Sequence, residues 1–344
     1  SITSSSSNTI TTDTAITGSP FCVSASTGAS VSVPFTSVGT FNAGNVYTAQ
    51  LSNAAGSFAS PVSIGTVTST ANSGTISATI PAGTAAGTGY RIRVVSSNPV
   101  VTGTDNTVNL TVQVPAAITT QPSTTVQNLC QGSAATALSV AATGTSLTYQ
   151  WYSNTTATTT GGTPVGTSSN SYTPVTTAAG TLYYYCVVSA ACGASVTSNI
   201  SGAVNVTALP ATPSGTISAV QNCGNTALTY SAPSASLYWQ TSATGTDQTF
   251  ATTAPYSVTL NGAYYVRAFN GTCWSSGTVS QAVTVVNAVA ISVQPVNQST
   301  TVGNTATFNV TATNAVSYQW QVSTNGGSTW ANVGTNSNSY TTPA

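Results

Sequence analysis

Apolar residues in this chain recur at every second position, in short runs. Val31, Val33 and Phe35 alternate with Ser30, Ser32 and Pro34, and related alternation marks residues 46–51, 75–80, 138–142, 183–188 and 264–268. A period of two places one set of side chains on a buried face and the other toward water, the signature of a half-buried β-strand. Gly, Pro, Asn and Ser clusters bound the runs, among them Asn325-Gly326-Gly327, a hairpin-turn sequence. No segment carries helical periodicity with caps, and Ser, Thr, Asn or Gly interrupts every apolar stretch before it could form a membrane-spanning helix. The pattern predicts an all-β protein.

The runs fall into repeats. Tyr149-Gln150-Trp151 returns as Tyr238-Trp239-Gln240 and as Tyr318-Gln319-Trp320. The tryptophans stand about 80 to 90 residues apart, the length of one immunoglobulin-like domain with an inward Trp on its third strand. Residues 165–173 are nearly repeated at 333–341, and residues 84–96 align without gaps on 177–189, which brings the Trp-less first segment into the series. The expected architecture is therefore tandem immunoglobulin-like β-sandwiches over 1–114, 115–208, 209–287 and 288–344. Short Pro-marked connections at Val114-Pro115, Leu209-Pro210 and near Asn287 to Pro295 predict an extended rod. The last domain is incomplete, because its sixth and seventh strands would lie past Ala344. The expectation is a fragment of a longer chain, or a sandwich completed by a strand from another subunit.

Composition removes most chemistries. The 344 residues include three Lys+Arg, three Asp+Glu and no His, a net charge of zero. The charges are Arg91, Arg93, Arg267, Asp13, Asp105 and Asp247. General acid–base pairs, nucleophile–base sets and His or carboxylate metal cages need residues that are missing or scattered, so no enzyme, metal or cofactor is expected. Three arginines cannot supply the counterion release that nucleic-acid affinity requires. No basic-then-apolar signal peptide opens the chain. Without His, only a perturbed thiol would titrate between about pH 5 and 8.

Six cysteines in a Lys-free, Ser/Thr-rich β chain suggest an oxidising, extracellular setting. The gap-free alignment sets Cys186 on Arg93 and Arg267. Arginine is seldom inside a sandwich, so Tyr184, Cys186 and Val188 are expected to face outward and Tyr183, Tyr185 and Val187 inward. The same alignment sets Cys192 beside Cys273 and Cys130 beside Cys223, which predicts disulfides Cys130–Cys192 and Cys223–Cys273. Cys130–Cys186 is the alternative. Cys22 and Cys186 are then left over, as inert or intermolecular thiols.

Trp151, Trp239 and Trp320 are expected in the cores. Tyr184, Tyr265 and Phe269 are candidates for a sugar-stacking platform or a lateral contact, and Trp274 and Trp330 are further contact candidates. Arg91 and Arg93, with Asp105 in the next turn, form either a carboxylate-binding clamp or a solvated strand edge.

Phe21-Cys22, residues 31–35, residues 39–45 and residues 89–99 resemble a module of the very large repetitive surface adhesins of Bacteroidetes, including gliding-motility adhesins of the SprB type. Residues 147–152 and 180–185 are similar to the immunoglobulin-like repeats of the same class. The resemblance implies export by the type 9 secretion machinery, a place outside the cell or attached to the outer membrane, and a role as a cell-surface adhesin; the surface without net charge favours like chains, neighbouring repeats or neutral glycans as partners. Asp13-Thr14-Ala15 matches the O-glycosylation pattern of those organisms and marks Thr14. The expected function is a non-catalytic stalk or adhesion segment. The alternatives are a fibre subunit completed by strand donation and an array of carbohydrate-binding modules.

Overall fold

A computed structural model describes residues 7–344. Every regular element among them is a strand. By internal packing the chain divides into a unit ending at Thr207 and a unit spanning Ala208–Ala344.

The first unit contains two separate apolar cores. The first gathers Val33, Tyr47, Ile76, Ile80, Ile92 and Val94, all solvent-inaccessible. A seven-stranded sheet encloses it in the order Val62–Thr68, Val46–Leu51, Ile92–Ser97, Val100–Asp105, Thr9–Thr12, Ala29–Val38, Ser73–Ile80. The sheet curls until its two ends abut at Gly65, where a Cβ would lie 2.8 Å from the Ala78 Cα. Phe21–Cys22, Leu110–Gln113 and Gly87–Tyr90 form a second, three-stranded layer. The alternation seen in the sequence produces this burial directly: along Ala29–Val38, Val31, Val33, Phe35 and Ser37 are buried while Ser30, Ser32 and Thr36 are exposed.

The second core surrounds Trp151, with Tyr184, Cys186, Val188, Val204 and Leu138 packed around it. Its main sheet joins Thr148–Asn154 to Thr163–Val165 on one side and to Gly180–Ser189 on the other. In the second unit a third core gathers Leu228, Tyr230, Trp239, Val258 and Val266 between two three-stranded sheets. The chain is thus a series of immunoglobulin-like β-sandwich repeats.

Serine has a specific task in these sandwiches. Where a ladder ends, Ser198 donates its N–H to Cys186 O at 2.8 Å and accepts the Cys186 N–H on its hydroxyl at 2.9 Å. Ser201 does the same for Tyr184, and Ser275 for Ala268. The hydroxyl replaces the missing carbonyl of a partner strand, so these three N–H groups are not buried unpaired. Asn45, also inaccessible, holds three segments together through Ser69 O, Ser97 N and Asn98 N.

The structure corrects the expected facing of residues 183–188. Trp151 lies opposite Cys186, and Trp239 lies opposite Val266. Cys186 is therefore the counterpart of Val266, not of Arg267, and the gap-free alignment was one residue out of register. A slip of one residue exchanges the two faces of a strand. Tyr184, Cys186 and Val188 point into the core. Tyr185 is buried on the opposite face, stacked on Tyr152 at 5.1 Å and accepting a hydrogen bond from Gly162 N.

Candidate functional site

The strongest chemical feature is a bridged junction inside the first unit. Phe21–Cys22 runs parallel to the last strand of the first repeat, with Cys22 opposite Gln113. The chain passes on through Val114 and Pro115, and two turns of the second repeat grip it there. Thr145 donates its N–H to Val114 O and accepts the Val114 N–H on its hydroxyl, each at 2.9 Å. Gly193, at a positive φ, fits so close to Pro115 that a Cβ would lie 2.6 Å from the Pro115 Cβ. Between Ala191, which donates to Thr145 O, and Gly193 stands Cys192, bonded to Cys22 with 5.8 Å between the Cα atoms. Two covalent connections, the linker and the disulfide, therefore run side by side between the first and second repeats.

This bridge replaces the expected Cys130–Cys192. The strand Gln127–Cys130 pairs with Val204–Thr207, Cys130 beside Thr207, at the end of the repeat where the chain leaves. Cys192 sits at the end where the chain enters, so the two cannot meet. Cys130 and Cys273 are each disulfide-bonded. Cys223 is an exposed free thiol in the turn between Ile217–Asn222 and Asn225–Tyr230, so the expected Cys223–Cys273 bond is not formed. Cys22 is not left over. Cys186 is free but buried, and desolvation pushes its thiol up to about 11, so it is no intermolecular cross-linker.

The contact candidates separate. Tyr184 belongs to the core, with burial first and the neighbouring Tyr172 second pushing its phenol up to about 12; it is no surface platform. Tyr265 is half-buried. Phe269 and Trp274 meet at 4.8 Å, with Tyr238 edge-on to Trp274 at 5.7 Å. Arg267 lies under the Trp274 ring at 5.4 Å and is itself buried. Its guanidinium donates to Ser275 O and Gly245 O, so a buried cation is neutralised by carbonyl dipoles, and burial lowers its pKa. Trp330 is 60% exposed. Thr14 is exposed beside Asp13, whose carboxylate accepts the Ala15 N–H at 2.8 Å.

Arg93 lies on Ile92–Ser97, an interior strand of the seven-stranded sheet, whereas Arg91 sits at the break between that strand and Gly87–Tyr90; Arg91 pairs with Asp105 at 3.3 Å, and Arg93 bonds Gln50 and covers Phe58. Among the described residues no group of three or more His, Cys, Asp or Glu comes together.

The fourth repeat reproduces the second in detail. Gln319 Nε2 donates to Trp320 O and Val333 O as Gln150 Nε2 does to Trp151 O and Val165 O. Trp151 is flanked by strands on both sides, whereas among the described residues Trp320–Val322 pairs only with Ala331–Val333. A cleft lined by Ile291, Val310, Ala312, Tyr318 and Trp320 opens there.

No protein-family model matches the chain, and no curated protein does. Among solved structures, the I-band fragment I67-I69 of titin is 13% identical over 77% of this chain and 94% of its own, with a TM-score of 0.35. The insect immune protein hemolin is 13% identical over 86% and 83%, with a TM-score of 0.31. The FN1-FN3 domains of chicken CNTN1 are 12% identical over 78% and 96%, with a TM-score of 0.30. Likenesses this distant carry no argument, and the fold assignment rests on the strand pairing and the cores.

Proposed function

We propose that this chain is a load-bearing, non-catalytic segment of a large extracellular adhesion protein, built from sandwiches at 1–114, 115–208, 209–287 and 288–344. The single observation that carries the reading is the Cys22–Cys192 bridge. Tension entering at the first strands crosses the disulfide, so residues 23–191 are relieved of it. A cut anywhere in that stretch also leaves the chain continuous. Disulfides persist in oxidising surroundings, which fits a place outside the cell. Export by the type 9 machinery, attachment to the cell surface, a part in gliding and O-glycosylation at Thr14 belong to the same proposal and rest on the sequence resemblance; glycan or like-chain partners belong to it too and rest on the surface without net charge.

Force spectroscopy on the full chain, with handles at Thr17 and Ala194, tests the load path. The intact protein will yield almost no extension between the handles. The Cys22→Ala, Cys192→Ala variant will release about 60 nm as both repeats unfold, at roughly 3.3–3.6 Å per residue. Equal extension in both proteins contradicts the reading.

The cleft beside Trp320 supports a second reading, a fibre subunit. There, a strand with apolar residues at alternate positions, as in Tyr184, Cys186 and Val188, completes the fourth sandwich from another chain. The reduced, denatured mass of the native polypeptide separates the two: a value near 34.2 kDa favours the fibre, and one many times larger favours the long stalk.

A further inference from the structure

Trp151, buried in the second core, and its counterpart Trp320, which is only half-buried and not in a core as the sequence led one to expect, satisfy their indole N–H groups in one way. Trp151 Nε1 donates to Ser169 O at 3.0 Å and Trp320 Nε1 to Ser337 O at 2.9 Å. Each serine stands three residues before the tyrosine that stacks on the indole, Tyr172 at 6.3 Å and Tyr340 at 6.0 Å. The carbonyl is presented by a small turn closed on the same serine's hydroxyl, which accepts from Ser171 N at 3.2 Å and from Ser339 N at 3.1 Å. The shared run is Ser-Asn-Ser-Tyr.

The third repeat has Thr253-Ala254-Pro255-Tyr256 at this place. Tyr256 stacks on Trp239 as its counterparts do, at 5.8 Å and 20°. Pro255, however, has no N–H to close the turn, and its ring drives Ala254 toward an extended backbone. The carbonyl is not presented. Trp239, 2% exposed, keeps an indole N–H with no partner, and among the described residues it is the one buried side-chain polar atom so left. Native proteins rarely leave a buried donor unmade.

The loop that fails to cap the indole also opens a pocket. Trp239, Thr249, Phe250, Thr253, Pro255 and Tyr256 line it, and it encloses about 530 Å³ of space open to solvent. Phe250 is 47% exposed and its ring lies 4.8 Å from that of Tyr256. Apolar ring faces, the Thr253 hydroxyl and the indole whose buried N–H lacks an acceptor are brought together; the Thr249 hydroxyl is taken up by Asp247, and no free cation stands beside them, since Arg267 already serves Ser275 O and Gly245 O. That set suits a neutral ligand with an apolar face and oxygen acceptors.

We propose that this pocket binds a neutral sugar residue, stacked on Phe250 and Tyr256, with one sugar oxygen in the place that Ser169 O and Ser337 O occupy in the sister repeats. The site is distinct from the aromatic group around Trp274 and independent of the load-bearing reading, which stands whether or not a sugar binds.

The test is the indole N–H spectrum of the ¹⁵N-labelled full chain, with Trp239 assigned through Trp239→Phe. Methyl glycosides of glucose, galactose, mannose and N-acetylglucosamine are titrated to millimolar concentration. At least one will shift the Trp239 signal saturably, and Phe250→Ala will weaken that response by about tenfold, as loss of a stacking ring does. Pro255→Ser restores the turn: its Trp239 signal will move toward that of Trp151 before sugar is added, and will no longer respond. The proposal is overturned if no sugar shifts the signal, if the folded Phe250→Ala protein responds as the parent does, or if Pro255→Ser leaves both signal and response unchanged.

Discussion

Cys22 and Cys192 stand 170 positions apart in sequence, yet a disulfide joins them across the junction of two sandwiches, with the linker at Val114-Pro115 alongside. One connection alone would let the repeats swing and twist about the linker. The second, held by Gln113 on one side and by the Ala191–Gly193 turn on the other, restrains both motions.

The free thiols should differ sharply in reactivity. Cys223 is exposed, whereas Cys186 is inaccessible and its thiol is raised to about 11 by burial. Iodoacetamide at pH 8 will label Cys223 in the native protein and Cys186 only after unfolding. Rapid native labelling of Cys186 would contradict the strand register that sets it opposite Trp151.

Removing a serine clamp isolates the effect of one hydroxyl. Ser198→Ala leaves the Cys186 N–H buried without an acceptor, at an expected cost of about 1–3 kcal/mol in urea unfolding. Ser30→Ala, on an exposed strand face, will be within about 0.5 kcal/mol of the parent.

Arg267 joins Gly245 and Ser275 from two separate segments. Lysine keeps the charge but lacks the planar fork, so Arg267→Lys will destabilise the second unit by about 2 kcal/mol, read as a lower unfolding midpoint.

The pH response follows from acids that burial keeps protonated. Tyr184 and Cys186 have native values raised to about 12 and about 11, so the folded chain holds their protons more tightly than the unfolded chain does. Their contribution is fully present below the ordinary Cys and Tyr range and is lost as pH rises through the native values. Stability will be nearly flat from about pH 5 to 8 and will fall above about pH 9. A steep change near pH 6 would contradict this.

Much of the fold is legible in the chain because a strand's period of two survives in single runs, and because Trp151, Trp239 and Trp320 recur at domain spacing. The facing of Cys186 is not, since letter matching tolerates a one-residue offset that reverses a strand. Nor is the Cys22–Cys192 bond, which depends on which end of a sandwich each turn occupies. Arg267 misled for a related reason: carbonyls supplied by distant loops make a buried guanidinium tolerable. The pocket beside Trp239 did leave a mark, Pro255 in place of Ser171 and Ser339, but the mark acquires meaning only once the sister turns are seen to cap their indoles.

The central claim, a covalent bypass of residues 23–191, is tested most directly by trypsin. Cleavage is confined to Arg91, Arg93 and Arg267, because the chain has no lysine. After digestion under denaturing, non-reducing conditions, the peptide ending at Arg91 will remain attached to the peptide 94–267 and separate from it only on reduction. Release of the peptide ending at Arg91 without reductant would show that Cys22 and Cys192 are not joined, and the proposed load path would fall with them.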